Sequence, residues 1–248
     1  MSAFIRKINT FTKDALLGSR LGLLIQPFSG FFQFTANFGR LAGWIQKHNT
    51  EEEVFSDFFT LQRDYPKRVQ LHEHVVEKYQ LRNRKIHYLE FGVASATSFK
   101  WWLAKNQHPD SSFYGFDTFE GLPEAWGTYS KGAMGFDLPD ITDPRARFYK
   151  GLFQETLYPF LKAYEADEEV LRIIHLDADL YSSTLFALTM LAPYLRAGDL
   201  LFFDEFNVPN HEFAAWEAFI KSYYFEYKVV GGVNNFYQAC FQLTKTMV

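Results

Sequence analysis

The sequence predicts an α/β fold, with a doubly wound, mostly parallel sheet of seven strands that ends in a C-terminal antiparallel hairpin. From residue 86 onward, short apolar runs typical of strands alternate with helical patterns, which indicates a parallel sheet covered by helices on both faces. The last two strand-like runs, 225–233 and 236–244, are joined by too few residues for a parallel crossover. They must therefore pair antiparallel. A chain of 248 residues is long enough to bury the core of such a domain.

The first 80 residues lack this alternation, and we expect residues 1–80 to form a helical, aromatic-rich extension ahead of a domain at 81–248. Residues 1–50 predict short helices with a break near Pro27–Gly30. Acidic residues follow Asn49, as at the start of many helices, so a helix is expected over the next, Phe-rich residues.

A further helix is predicted over residues 67–79, and it contains the triplet HEH at 72–74. Residues two positions apart point to different sides of a helix, so the two histidines cannot share a metal ion. We expect them on a solvated face.

The alternating region supplies the remaining elements. Strands are predicted at 86–93, 111–117, 146–151, 170–179 and 198–206, and helices at 95–106, 153–166, 182–195 and 212–224. The Gly- and Pro-rich stretch 121–147 has no periodicity. Loops of that length are usually functional, so we expect a lid that carries Trp126, Tyr129, Met134 and Phe136, with a simple surface loop as the alternative.

Composition and charge exclude several classes of protein. The single cysteine, Cys240, excludes an internal disulfide framework and any Cys-rich zinc site. Together with the lack of an evident secretory signal, it predicts a cytoplasmic protein. Six Lys or Arg and one Asp give residues 1–50 a charge of +5, so the rest carries −9 of the total −4. An acidic body is not a nucleic-acid-binding surface.

The N-terminal segment has two possible partners. Residues 21–39 carry no charge, but polar residues interrupt them, so no transmembrane helix is expected. A basic, Phe-rich segment can make weak contact with a membrane surface. It can equally pack on its own domain or on a second subunit, and we expect a homo-oligomer with the Phe-rich residues 28–59 as the interface.

The first two predicted strands end in polar residues, at the sheet edge where such folds bind ligands. Gly92 would let the backbone approach a ligand. Glu90 suits a cationic group, such as the amino group of a methionine moiety, or it is simply exposed to water. Asp117 can accept both hydroxyls of a ribose, or it only starts a turn. The dinucleotide fingerprint G-x-G-x-x-G is absent, which argues against a nicotinamide oxidoreductase.

Two neighbouring predicted strands each end in a pair of acids. Asp177 and Asp179 lie at the end of the strand 170–179, and Asp204 and Glu205 lie at the end of the strand 198–206. Carboxylates placed so close together need a cation, and oxygen ligands favour Mg²⁺, Ca²⁺ or Mn²⁺ over zinc. The alternative is that the acids cap helices or pair with Lys or Arg. We expect Asp179 to cap the next helix and His175 to be a core histidine.

Five segments carry a resemblance to a known family: LEFGVASATS, FYGFDTFEGLPE, KGLFQETL, HLDADLYSST and LLFFDEF, in this order over about residues 86–206. They resemble the macrocin O-methyltransferase family of S-adenosylmethionine-dependent enzymes, which includes sugar O-methyltransferases of antibiotic biosynthesis. The resemblance implies the class I methyltransferase fold, which is Rossmann-like, and a small-molecule hydroxyl as methyl acceptor.

The resemblance also implies roles for individual residues. Glu90 and Gly92 would hold the methionine end of the cofactor, Asp117 its ribose, and Gly151 and Leu152 would lie near its adenine. Asp177, Asp204 and Glu205 fall where family members bind a divalent metal, most often Mg²⁺, and Asp177 is also in the place of the general base. The family more often has Asp-Asp at positions 204–205.

Two alternatives stay open at this point. The protein can be a non-catalytic binding or interaction protein that keeps the S-adenosylmethionine fold. It can also be a methyltransferase without metal, in which Asp177 or His175 acts alone as the base.

Overall fold

One mixed sheet of eight strands forms the centre of the computed structural model, which describes residues 3–165, 167 and 169–246. The strands are β1 (Phe55–Ser56), β2 (Ile86–Phe91), β3 (Ser112–Asp117), β4 (Ala146–Lys150), β5 (Leu171–Leu176), β6 (Leu200–Phe203), β7 (Glu226–Val233) and β8 (Gln238–Lys245). Their order in the sheet is β1-β7-β8-β6-β5-β2-β3-β4. Strand β8 is antiparallel to β6 and β7, and the other pairs are parallel. The predicted fold class is confirmed, and β1 is added to the seven expected strands.

Helices cover both faces of the sheet. They are α1 (Ala3–Gly18), α2 (Gly22–Ile25), α3 (Ser29–His48), α4 (Lys67–Lys78), α5 (Thr97–Lys105), α6 (Phe153–Ala163), α7 (Tyr181–Leu191) and α8 (Glu212–Tyr223), with short 3₁₀ helices at Gln26–Phe28 and Ala192–Tyr194. Residues of α4 and α5 form one core cluster with the sheet, and residues of α3, α6, α7 and α8 form the other. The predicted helix at 153–166 ends at Ala163, and its residue 166 lies outside the described residues.

The register of the central strands places the site residues at one edge of the sheet. Every residue of β2 and β5 is buried, as expected for strands covered on both faces. Phe91 pairs with Leu176, and Leu176 with Phe203, so β2, β5 and β6 end side by side. The residues that follow are Gly92, Asp177 and Asp204. We call this the C-terminal edge of the sheet and the opposite one the N-terminal edge.

The expected helix after Asn49 is wrong. Residues 49–53 form a turn, and Phe55–Ser56 is instead strand β1, which pairs parallel with Gly231 and Gly232 of β7. A Cβ on Gly231 would lie 2.7 Å from the carbonyl oxygen of Phe55, so the glycine is what lets β1 approach. This pairing with residues far away in the sequence overrides the local helical pattern.

The N-terminal helices are longer than expected. The predicted break at Pro27 is present as the 3₁₀ helix Gln26–Phe28, but α3 then continues for 20 residues. Its last turns dock on the domain, where Leu41 and Ile45 are buried. No helix within the described part of the chain is both long and apolar enough to cross a membrane.

The solvated face predicted for the HEH triplet is also wrong for its first histidine. His72 is 2% exposed, and its ring packs against those of Trp102, Phe202 and His175. The reason is that α4 lies on the sheet with Leu71, His72, Val75 and Val76 facing inward. Because the pattern of one helix does not show which side faces a neighbour, the sequence could not settle this.

Candidate active site

A cavity of about 730 Å³ opens at the C-terminal edge, beyond the ends of β2, β3 and β5. Such edges are where doubly wound sheets bind ligands. The lining includes Gly92, Asp117, Leu152, Asp177, Asp179 and Glu205. Three of the predicted site residues, Glu90, Gly151 and Asp204, do not contribute to the wall, although they lie on or next to strands that border it. A second hollow, of about 850 Å³, lies beside α6 and contains none of the predicted site residues.

Glu90 sits in a buried polar network. Its Oε2 accepts a hydrogen bond of 2.5 Å from the Tyr88 hydroxyl, which also lies 2.7 Å from Nδ1 of His175. Burial raises the pKa of Glu90 to about 8, although the Tyr88 hydrogen bond and the charge of Arg68 oppose this. A cationic group near Glu90 would favour its ionised form. Burial also lowers the pKa of His175 to about 3, so this histidine is the neutral core residue that was expected.

Gly92 is required by the packing of the strand ends. Its φ is +90°, and a Cβ there would lie 1.7 Å from the carbonyl oxygen of Asp177. The close backbone approach expected at this glycine is therefore made by the chain itself, between the ends of β2 and β5. Gly92 still lines the cavity, so a ligand would meet its backbone.

Asp117 lines the cavity and also forms turns. Its Oδ2 accepts hydrogen bonds of 2.8 Å from the backbone N–H groups of Val93 and Ala94, and its Oδ1 accepts one of 2.7 Å from Phe119. The carboxylate thus ties the turn after β2 to the turn after β3. Both interpretations of this residue, turn former and cavity residue, describe its position.

Gly151 and Leu152 connect β4 to α6. Gly151 has φ +139°, and its N–H donates to the Asp117 carbonyl oxygen at 3.0 Å. Leu152 is 37% exposed and lines the cavity. Glu155 in the first turn of α6 accepts a hydrogen bond of 3.1 Å from the Leu152 N–H, which fixes the start of the helix.

The four predicted acids meet at the ends of β5 and β6. We call Asp177, Asp179, Asp204 and Glu205 the carboxyl cluster. Burial raises the pKa of each. Coulomb repulsion by other cluster members further raises the pKa of Asp177, Asp179 and Glu205, whereas the charges of Arg68 and Arg63 lower that of Asp204. The pKa of Glu205 rises to about 9. The guanidinium of Arg68 on α4 supplies positive charge to the cluster, with its Nη1 3.6 Å from Asp204 Oδ2.

The expectation that Asp179 caps the next helix is wrong. Helix α7 begins at Tyr181, its N-cap is Leu180, and no side chain caps it. Asp179 has φ +56°, and its carboxyl group helps to raise the pKa of the neighbouring Glu205. The backbone turn at Asp179 therefore places its side chain beside the cluster.

Sequence reasoning missed three residues around the cluster. Glu212, the first residue of α8, is fully buried, and its Oε2 accepts a 2.9 Å hydrogen bond from the Glu205 N–H. The Tyr237 hydroxyl donates to Glu205 Oε1 at 2.5 Å. Arg68 supplies positive charge from α4. No local pattern marks these residues, because each reaches the cluster through tertiary packing.

The donor atoms of the cluster suit a hard divalent cation, because all of them are carboxylate oxygens. Asp204 Oδ1 and Glu205 Oε2 are buried without a hydrogen-bond partner. Within the described ranges, however, no three His, Cys, Asp or Glu side chains are arranged to hold an ion as they stand. Ligation by Asp177, Asp204 and Glu205 together would need their side chains to turn toward a shared ion.

The long loop after β3 forms the outer wall of the cavity. Trp126 and Tyr129 make a two-residue bridge in which their rings stack at 5.6 Å, and both line the cavity with Met134. Phe136 is 44% exposed and does not line it. Gly121 is needed at the base of the loop, since a Cβ there would lie 2.4 Å from the Ala133 carbonyl oxygen.

Comparison with known proteins agrees with this architecture. No curated protein is significantly similar to the chain in sequence. The structure is similar to that of CalS11, a calicheamicin methyltransferase, with a TM-score of 0.55, 19% identity and coverage of 84% of this chain and 91% of that one. It is also similar to the O-methyltransferase NovP, with a TM-score of 0.53, 15% identity and coverage of 86% and 98%. The family model of the macrocin O-methyltransferases (TylF) matches residues 67–229. The chain therefore belongs to the macrocin O-methyltransferase family, and it is an S-adenosylmethionine-dependent O-methyltransferase.

Proposed function

We propose that the enzyme methylates a hydroxyl group of a sugar-containing or other small-molecule natural product, with the help of a divalent cation. The observation that carries the proposal is the presence of three members of the carboxyl cluster, Asp177, Asp179 and Glu205, in the wall of the cavity, together with the aromatic residues of the loop. Acids on one side suit a polar acceptor, and aromatic rings on the other suit its apolar surface. The family description, which names macrocin, supports a natural product as acceptor.

The cofactor would lie across the ends of β2, β3 and β4. Its ammonium group would approach Glu90, whose buried carboxyl becomes ionised when a positive charge is near. The ribose would face Asp117, which keeps lone pairs beside the three backbone hydrogen bonds that it accepts. Leu152 would supply apolar surface beside the adenine.

Asp177 would take the proton of the acceptor hydroxyl, as a general base does. Its pKa lies well above the ordinary value because of burial and of the neighbouring Asp204 and Asp179, so the carboxyl needs compensation before it can accept a proton. Asp177, Asp204 and Glu205 would hold the cation. When bound, a divalent cation lowers the pKa of nearby hydroxyl and carboxyl groups and orients the acceptor. Trp126 and Tyr129 would exclude water from the reacting atoms.

Methyl transfer is tested by screening acceptors with methyl-labelled S-adenosylmethionine, after calorimetry has measured binding of the cofactor. We expect transfer to hydroxyl-bearing natural products and none to amines. If the protein binds the cofactor and transfers the methyl group only to nitrogen or sulfur, the proposed acceptor class is wrong.

The cation is tested separately, by binding of Mn²⁺ followed by electron paramagnetic resonance. We expect a site that Asp204→Asn abolishes, whereas Glu73→Gln, a control in a surface ion pair with Lys105, keeps it. We also expect EDTA to abolish transfer. Activity that survives both EDTA and Asp204→Asn would contradict the role of the cation and leave Asp177 as a base without metal.

A further inference from the structure

The N-terminal arm, residues 7–36, is exposed along its whole length. It comprises most of α1, all of α2 and the first turns of α3. Large apolar side chains make up much of its surface: Phe11, Leu17, Leu23, Leu24 and Phe31 are each between 64% and 76% exposed. A monomeric soluble protein rarely exposes so extended an apolar surface to water. We therefore expect an apolar partner to cover the arm.

The docked half of α3 fixes where the arm lies. Asn37 Nδ2 donates to Asn210 Oδ1 at 2.8 Å, and Asn210 belongs to the segment after β6, at the C-terminal edge. Trp44 Nε1 donates to the Tyr227 hydroxyl at 2.8 Å, and Tyr227 is near the start of β7, at the N-terminal edge. The helix therefore crosses the sheet from the C-terminal to the N-terminal edge. Residues before Asn37 extend beyond the C-terminal edge, by about 12 Å from Asn37 to Ser29.

The cavity opens at this same edge. Glu205 and Tyr237, which line it, follow β6 and precede β8 at the end of the sheet where Asn210 lies. A surface that covers the arm would thus also face the mouth of the cavity.

The charge of the arm indicates which surface covers it. Lys7, Lys13 and Arg20 lie in the arm with a single acid, Asp14, and residues 21–39 carry no charge at all. Cationic groups beside exposed Phe and Leu are the combination that binds anionic lipid headgroups while apolar side chains enter the acyl boundary. Pairing of two arms in a dimer would instead bring two surfaces of the same net charge together.

We propose that the N-terminal arm binds an anionic lipid surface and holds the mouth of the cavity toward it. This inference concerns the location of the enzyme and does not depend on the proposed acceptor or cation. Binding would bury the exposed apolar residues of the arm in the lipid. It would also restrict methyl acceptors to molecules that are present at the lipid surface or can reach it.

The test is flotation of the full chain with vesicles of phosphatidylcholine, alone or mixed with phosphatidylglycerol. We expect binding to the mixed vesicles to be at least about tenfold stronger and to weaken with salt. The variant Leu23→Ser/Leu24→Ser/Phe31→Ser should lose binding. The control Leu61→Ser/Tyr158→Ser, which changes exposed apolar residues outside the arm, should keep it. Because all these side chains are exposed, thermal unfolding should stay unchanged in both variants.

Orientation is tested with a fluorescent label and lipids that carry a quencher. Because Cys240 is buried, a label can be directed to Tyr129→Cys beside the cavity or to Asp110→Cys at the N-terminal edge. Vesicles should quench the first label and not the second. The proposal is overturned if the chain does not float with anionic vesicles, or if sedimentation shows a dimer that the arm variant dissociates. Equal quenching of both labels would overturn the orientation.

Discussion

At the scale of single residues, the Tyr88 hydroxyl explains how Glu90 can be buried and still change its charge. The hydroxyl lies within hydrogen-bond distance of both Glu90 and His175 but has one proton to donate. When Glu90 is protonated, it donates to Tyr88, which donates to His175 Nδ1. When Glu90 is ionised, Tyr88 donates to it and His175 Nδ1–H donates to Tyr88. Both arrangements satisfy all three groups.

Binding of the cofactor should therefore release a proton. Near pH 7 a carboxyl with a pKa of about 8 is mostly protonated, and an ammonium group beside it lowers that pKa, so nearly one proton leaves when S-adenosylmethionine binds. Calorimetry in buffers of different ionisation enthalpy measures this release.

The variant Glu90→Gln is the matched test of this prediction. It should release no proton and bind the cofactor about tenfold or more weaker, since a charge-assisted hydrogen bond is worth about 1.5–3 kcal/mol. Proton release that persists in the variant would assign the titration to another group.

The sequence predicted the acids of the site but not their surroundings. Asp177, Asp204 and Glu205 lie at the carboxyl ends of predicted strands, so their common edge could be worked out from strand order alone. The contacts of Glu212, Tyr237 and Arg68 depend on how α8, the hairpin and α4 pack, and no local pattern encodes this. Asp179 shows the same limit, because a capping residue and a cluster residue look alike in sequence.

At the scale of elements, the backbones of β2 and β5 approach closely where the two strands end, at Gly92 and Asp177. Asp177 N–H donates to the Phe91 carbonyl oxygen at 2.9 Å, and Gly92 N–H donates to Phe116 at 2.9 Å. Side chains are excluded between the two strand ends, so the position of Asp177 depends on the glycine opposite it.

The substitution Gly92→Ala should be strongly destabilising. The new methyl group would meet the Asp177 carbonyl oxygen, and the positive φ adds strain, for a combined loss of about 3 kcal/mol or more. The control is Gly43→Ala on α3, where nothing lies within 4 Å of a Cβ, and a gain of about 0.5–1 kcal/mol is expected. Urea unfolding measures both. Equal effects of the two substitutions would contradict the role assigned to Gly92.

Predictability also differs among elements. Strands and helices from residue 86 onward were predicted nearly within their bounds, because alternation of buried runs is a local signal. The short strand β1 was not, because two residues carry no pattern and their pairing with Gly231 and Gly232 is a tertiary contact. The predicted break near Pro27–Gly30 is confined to the 3₁₀ helix Gln26–Phe28, and helix α3 starts at Ser29 and passes through Gly30.

At the scale of the whole molecule, the carboxyl cluster lowers the free energy of unfolding, and the packing of the rest of the fold compensates for this. Asp204 and Glu205 are buried and Asp177 and Asp179 are half-buried beside them, with Arg68 paired to Asp204, whereas most acids of the described residues are exposed. Groups arranged in this way destabilise a protein and are typical of functional sites. Replacing an acid of the cluster by a neutral residue should therefore stabilise the fold and abolish its stabilisation by a divalent cation.

The substitution Glu205→Gln tests whether the cluster lowers stability and binds a cation. Without metal, the Glu205 carboxyl has a pKa of about 9 in the folded protein, whereas the ordinary pKa of glutamate is 4.5. Folding therefore takes up a proton between these pH values, and stability falls as pH rises. Glutamine removes that dependence and still accepts the Tyr237 hydrogen bond. In EDTA the variant should be more stable by on the order of 1–3 kcal/mol near pH 7, and by more at pH 8 than at pH 6.

Thermal unfolding in EDTA measures the effect, at about 2–4 °C for each kcal/mol in a chain of this size. The control Glu226→Gln, in an exposed pair with Lys245, should change stability by less than about 1 kcal/mol.

Addition of Mg²⁺ should then raise the melting temperature of the wild type and not that of Glu205→Gln. A bound ion stabilises only a folded protein that binds it. A variant that is more stable in EDTA and does not respond to Mg²⁺ would therefore show that the same carboxyl group destabilises the fold and binds the cation. A variant less stable than the wild type at both pH values would show that Glu205 is structural.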